Sequence, residues 1–309
     1  MILQRTIKTA VDITGIGLHS GVNIRLRLRP AAADTGIIFH RREGERVVAI
    51  KAIAENVVDT RLATVLGRDG LSVSTVEHFL AALAACGIDN LHVDIDGPEV
   101  PILDGSAAPF VKLVEEAGIE GLDAARRFIA IRKPISLIEG EKRISIIPSR
   151  FFRITFDIAF EHKAISLQQY SMKFSTESFQ REIAPARTFG FLHEVEYLKA
   201  NGLARGGSLE NAVVIDENGV MNPEGLRYQD EFVRHKILDS FGDFSLLGAP
   251  MLGHIRAFKA GHDLNAKMVR KLLDNPDHWT YVEFSEAAMH EAQRRSARAF
   301  SVDLAWDKA

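Results

Sequence analysis

Apolar and polar positions alternate between Val22 and Arg29, with Ile24, Leu26 and Leu28 on one side and Arg25, Arg27 and Arg29 on the other. A period of two predicts a strand with one buried and one wet face, so the three arginines read as a solvated surface. Further along the period changes. From about Thr75 to Ala85, the residues Val76, Phe79, Leu80 and Leu83 follow the i, i+3, i+4, i+7 rhythm, and Gly87 stands just past the last turn. That spacing predicts a helix with its stop signal. The strand LHVDID follows, then a turn and a second helix from about Ala107 to Ala117.

Gly118, Gly121 and the charged run DAARR mark a boundary near residues 119–127. Beyond it, strands are predicted at Arg143–Ile147 and Phe152–Ile158, and helices at Phe191–Ala200, Asp230–Phe241 and Leu264–Leu273. The short strand NAVVID falls between the first two of these helices. Strands and helices mixed without regular βαβ alternation predict an α+β chain of two domains rather than one doubly wound sheet. The expected division is an N-terminal domain over 1–122, a C-terminal domain over 127–284, and a helical or loose tail over 285–309. Residue identity reveals no repeat. Each half does carry a helix with one inward-looking histidine, which hints at duplication.

A length of 309 residues is comfortable for two domains, and 46% hydrophobic with 26% charged residues is an ordinary globular mixture. The net charge of −3 leaves no strong basic excess, which argues against a nucleic-acid partner. Cys86, the sole cysteine, excludes an internal disulfide and a cysteine-rich zinc site. The N-terminal stretch lacks the apolar core of a signal peptide. The longest apolar run, Phe79 to Ile88, is far short of the roughly 20 residues that span a bilayer. A soluble cytoplasmic protein with no integral membrane segment is therefore expected.

Several motifs fail on inspection. The turn GIGLHS has Ser20 where a dinucleotide loop needs its third glycine, and no phosphate-binding GxxxxGK[ST] loop is present. His193 and Glu194 begin like a zinc-protease helix, but Tyr197 stands where the second histidine would be. A better signal is His235 and Asp239, four apart on a predicted helix and so on one face. Such a pair can ligate zinc or can simply be hydrogen-bonded. His78 is the natural further ligand, though it could equally be a buried, satisfied histidine. Glu77 beside it could close a capping box with Ser74. His254 and His262, each after a glycine, are candidate acids, and Asp243 could orient one of them.

The segments STVEHFLAAL, PILDGSAAPF, ARTFGF, GLARGGSLENAVV, FVRHKILDSFGD and AGHDLN resemble the UDP-3-O-acyl-N-acetylglucosamine deacetylases of lipid A biosynthesis, in order over roughly residues 1–284. The resemblance implies two domains of similar two-layer sheet-and-helix topology, with the helices packed between the two sheets. It implies one catalytic zinc ion held by His78, His235 and Asp239. Glu77 matches the general base, His262 the general acid, Asp243 the residue that orients it, and Thr188 a hydroxyl near the scissile carbonyl. Lys236 matches a substrate-contacting lysine, Phe189 and Phe160 line the approach, and His19 matches a histidine near the site. Some relatives carry a cysteine where this chain has Ala63. The implied substrate is a UDP-linked acylated amino sugar, and a monomer is expected.

Two readings then compete. One is a zinc-dependent amidohydrolase that removes the N-acetyl group of UDP-3-O-(3-hydroxyacyl)-N-acetylglucosamine, the committed step of lipid A biosynthesis. The other is a catalytically silent nucleotide-sugar or lipid-binding protein of the same fold, which would require loss of a ligand or of the acid/base pair. The apolar stripe of Phe191, Leu192, Val195 and Leu198 either packs on the core or lines an acyl-chain passage, since helical spacing is the same in both cases.

Overall fold

Two five-stranded sheets share one strand order. In the first, Val11–Ile16 runs antiparallel to Asn23–Pro30, which runs antiparallel to Leu91–Ile95. That third strand lies parallel to Ile37–Glu43, itself in a hairpin with Arg46–Lys51. In the second sheet Ile135–Glu139, Lys142–Ile147, His254–Phe258, Arg153–Ala159 and Leu167–Lys173 occupy the same places with the same directions. The duplication hinted at by the two histidine-bearing helices is thus present in the backbone. The computed structural model describes residues 1–285, so all but the first residue of the proposed 285–309 tail lies outside the described residues.

The period-two strand behaves as its pattern requires. Ile24, Leu26 and Leu28 are buried, while Arg25 and Arg29 pair with Asp12 and Asp94 on the outer face. Six helices are described: α1 (Glu77–Cys86), α2 (Ala108–Ala117), α3 (Thr176–Glu182), α4 (Leu192–Ala200), α5 (Glu231–Ser245) and α6 (His262–Leu273). Helix α1 packs on α2 and α5, while α5 and α6 pack on strands of the second sheet. Phe79 of α1 meets Phe39 of the first sheet and Phe110 of α2 edge-on. Helices α1, α2, α5 and α6 therefore lie between the sheets, and one apolar core runs through both halves. Each buried phenylalanine contributes about 1.5–3 kcal/mol relative to exposure.

Helices α1 and α5 cross in close contact because Gly242 has no side chain. A Cβ there would sit 2.0 Å from the Glu77 carbonyl oxygen. The helix expected to end at Phe241 runs through this glycine, and α5 continues to Ser245. Helix α1 starts at Glu77 rather than Thr75, since Thr75 is left-handed with φ of 56°. Helix α6 begins at His262 itself.

The boundary region is not a loose linker. Ile119–Ala125 pairs with Leu3–Ile7, and Arg127–Ile131 pairs with Met251–Leu252 and Trp279–Glu283. Two smaller structures reach toward the helix crossing. One is the antiparallel sheet of Val57–Asp59, Val65–Arg68 and Leu71–Val73; the other is the parallel pair Phe189–Phe191 and Val213–Ile215 that brackets α4.

Candidate active site

The crossing of α1 and α5 brings together residues far apart in the chain. His78 on α1 and His235 on α5 aim their Nε2 atoms at one oxygen, Asp239 Oδ1, from 3.4 and 3.2 Å. The two rings stand edge to face, with centroids 4.9 Å apart. All three residues are buried. Their helical spacing places His235 and Asp239 on one face, and the crossing supplies His78 opposite them.

This set fits a zinc ion. Asp239 Oδ1 is buried with no hydrogen-bond partner among the described residues. The three ligand atoms lie within 4.8 Å of one another. Zinc bonds of about 2.0–2.1 Å at tetrahedral angles separate neighbouring ligand atoms by about 3.3 Å, close to the two contacts on Asp239. His235 Nδ1 lies 3.0 Å from the Ala186 carbonyl, which can only accept, so the proton sits on Nδ1 and the Nε2 lone pair faces Asp239. Imidazole and carboxylate donors are those zinc takes in sites with an open position.

Charges follow from burial and neighbours. Burial disfavours the Asp239 carboxylate, yet His235 and Lys236 outweigh it and hold the group well below the usual carboxylate range. Lys236 donates to Asp239 Oδ2 at 2.9 Å. Burial lowers the pKa of His78, which favours the neutral imidazole that ligates metal. Burial pushes the Glu77 carboxyl up to about 7. His262 shows the reverse balance: burial opposes its charge, but Asp243 and Glu77 carry it up to about 10.

Glu77 is not a helix cap. No side chain caps α1, and Glu77 Oε2 instead accepts the Thr64 N–H at 3.0 Å. Its other oxygen, Oε1, lies 3.8 Å from His262 Nε2. On its far side His262 meets Asp243 through Nδ1, at 2.9 Å. Asp243 lies within α5, one turn past Asp239 on the same face, not in a turn beyond the helix. Its carboxylate also accepts from the Asn265 amide at 2.9 Å and the Thr64 hydroxyl at 2.5 Å.

The remaining candidates separate into near and far. Lys236 Nζ stands 5.5 Å from the Phe189 ring centroid, Phe189 lies 6.3 Å from the His235 ring, and Phe160 packs on Phe189 at 5.9 Å. Thr188 is two residues past the Ala186 carbonyl that orients His235, with its backbone tied to Gly105 and Val213. Its segment is anchored by the buried Arg187–Glu231 ion pair, at 2.9 Å. His19 sits on a turn whose backbone donates to Glu99, and both its ring nitrogens are buried with no hydrogen-bond partner among the described residues. Burial lowers its pKa, and Glu99 opposes that. The same Glu99 accepts the Thr75 hydroxyl, which ties this turn to the start of α1.

His254 is not at the site: it lies in a strand of the second sheet and bonds Thr155 at 2.9 Å. His193 is exposed on α4 and stacks on Phe191. Cys86 is buried, its thiol pushed up to about 12 by burial. The Phe191, Leu192, Val195 and Leu198 stripe is only half-buried, and α4 buries no residue fully. Sequence reading missed Thr64, Asn265 and Glu99. None lies in a metal-ligand or acid/base spacing, and only the left-handed Thr75, invisible in one dimension, would have flagged the region.

Comparison with known proteins bears on what this arrangement does. The family described as UDP-3-O-acyl N-acetylglycosamine deacetylase matches residues 4–274. A UDP-3-O-acyl-N-acetylglucosamine deacetylase of Syntrophotalea carbinolica is 66% identical over 290 residues, covering 94% of each chain. Proteins of the same name from a Geobacter species and from Myxococcus xanthus are 57% and 55% identical. The Geobacter match covers 94% of this chain and 95% of its relative, and the Myxococcus match 88% and 87%.

Proposed function

The chain belongs to the UDP-3-O-acyl N-acetylglycosamine deacetylase family of enzymes, and on that premise we propose that it hydrolyses the N-acetyl group of UDP-3-O-(3-hydroxyacyl)-N-acetylglucosamine. The products are acetate and UDP-3-O-(3-hydroxyacyl)-glucosamine, in the committed step of lipid A biosynthesis. His78, His235 and Asp239 would hold one zinc ion. A zinc ion there would supply Lewis acidity, which lowers the pKa of water to about 7.

The protein's own groups do the rest. Glu77 Oε1 accepts the proton given up by the attacking water. The Thr188 hydroxyl donates to the oxygen on which negative charge develops, help worth about 3–4 kcal/mol from a well-placed donor. His262 Nε2 delivers a proton to the departing nitrogen, which leaves as an amine rather than as a far poorer amide anion. Asp243, bonded to Nδ1, keeps Nε2 turned toward Glu77. Lys236, Phe189, Phe160 and His19 contact the UDP-sugar. The work divides between the two domains, 1–122 contributing Glu77 and His78 and 127–284 contributing His235, Asp239 and His262.

One observation carries this reading: Glu77 and His262 meet at 3.8 Å beside the zinc-fitting triad. A silent binding protein would have lost a ligand or the acid/base pair, and all five residues are in place. We take the enzyme to be cytoplasmic and monomeric; no helix of the described residues is long and apolar enough to cross a membrane. The direct test is acetate release from the acylated UDP-sugar. Activity should vanish on complete chelation and return with one equivalent of zinc. Absence of release from zinc-replete protein, or release indifferent to stripping, would end this reading.

A further inference from the structure

Thr64 touches both the base Glu77 and the Asp243–His262 dyad, its hydroxyl lying 3.4 Å from His262 Nδ1 as well as against Asp243. Its backbone N–H donates to Glu77 Oε2 at 3.0 Å, and its hydroxyl donates to Asp243 Oδ1 at 2.5 Å, across 179 residues of sequence. Its carbonyl accepts the Val76 N–H at 3.4 Å, just ahead of α1. The residue is 1% exposed, so no water competes for these bonds. It stands immediately before Val65–Arg68 of the small sheet, whose pairing fixes its backbone.

The two bonds have different consequences. The N–H belongs to the backbone and survives any non-proline substitution. The hydroxyl occupies Asp243 Oδ1, which leaves Oδ2 to receive His262 Nδ1 and the Asn265 amide, each at 2.9 Å. With both oxygens bonded, the carboxylate plane cannot turn, and the imidazole it holds is fixed relative to Glu77.

We infer that Thr64 is a positioning residue that sets the register between the base Glu77 and the Asp243–His262 dyad, acting through Asp243. The inference rests on the acid/base reading proposed above. It predicts a catalytic effect of the hydroxyl alone, separable from folding and from metal binding.

Three variants of the zinc-loaded enzyme test it. Thr64→Val keeps the shape and the N–H but removes the hydroxyl; kcat should fall about tenfold or more, as expected for losing a bond to a charged group, with KM nearly unchanged. Thr64→Ser should restore most of kcat. On an Asp243→Asn background, Thr64→Val should cost little further, because residues acting through one another are not additive. Zinc content should remain at one equivalent throughout. Full kcat in Thr64→Val, or a full additional loss in the double variant, would overturn the inference. If Asp243→Asn itself keeps wild-type kcat, the acid/base reading falls first and the inference with it.

Discussion

Glu77 Oε1 and His262 Nε2 face each other at 3.8 Å, one from the first helix and one from the last. Neither touches the other in the sense of a hydrogen bond. In the proposed reaction the buried carboxylate takes the proton of the attacking water and the part-buried imidazole protonates the leaving nitrogen, so the two must face one substrate without bonding each other. Each is held from behind: Glu77 by the Thr64 N–H and His262 by Asp243.

The ligand set predicts paired losses. His78→Ala or Asp239→Ala should abolish stoichiometric zinc and turnover together while leaving far-UV circular dichroism nearly unchanged. Zinc by elemental analysis and acetate release on the same samples check this. Either variant keeping both would remove that residue from the set.

The acid/base pair predicts a bell-shaped dependence of kcat/KM on pH. Glu77 must be ionised, so activity rises as pH climbs through its pKa, pushed up to about 7. His262 must be protonated, so activity falls as pH passes through its pKa, up to about 10. A bound dication shifts both limbs to lower pH, because positive charge favours the carboxylate and disfavours the imidazolium. Glu77→Gln should lower kcat by about 10²–10⁴ with zinc retained, and His262→Ala should erase the alkaline limb. A profile unaltered by His262→Ala would exclude it from proton transfer.

Gly242 predicts a steric failure. A methyl at 2.0 Å from the Glu77 carbonyl oxygen must force α1 from α5, since backbone cannot yield as a flexible side chain would. Gly242→Ala should cost about 1–3 kcal/mol of stability, typical of overpacking, and most of the activity. Thermal unfolding and turnover measured together decide it; wild-type values in both would mean the crossing is looser than the geometry states.

The half-buried stripe on α4 predicts dependence on the acyl chain. Leu192, Val195 and Leu198 are neither exposed nor packed away, as expected for a surface that a ligand completes. At about 0.8 kcal/mol per buried methylene, a long chain contributes several kcal/mol after ordering costs. UDP-N-acetylglucosamine should therefore be deacetylated far more slowly than the acylated substrate, in kcat as well as kcat/KM if remote binding positions the amide. Equal kcat/KM for the two would leave recognition to the sugar and nucleotide.

Much of this protein was legible in one dimension because local periodicity is a local property. Alternation at Ile24, Leu26 and Leu28 marked a strand with one buried face, and the four-residue interval from His235 to Asp239 put both on one helix face wherever the helix went. The family resemblance added roles to residues that spacing left open. Tertiary structure decided what no spacing could encode. Glu77 turned from a candidate cap into a buried carboxylate because Thr75 is left-handed and ends the would-be first turn. Asp243 lies on the helix because α5 runs past the expected end at Phe241, through Gly242, whose lack of a side chain leaves room for the crossing of α1. The repeated strand order survived in the backbone with no readable identity, since many side-chain sets fill a sheet face equally well. Thr64 carried no signal at all. A threonine's worth depends on which donors and acceptors packing brings within 3 Å of it, and those lie in other parts of the chain.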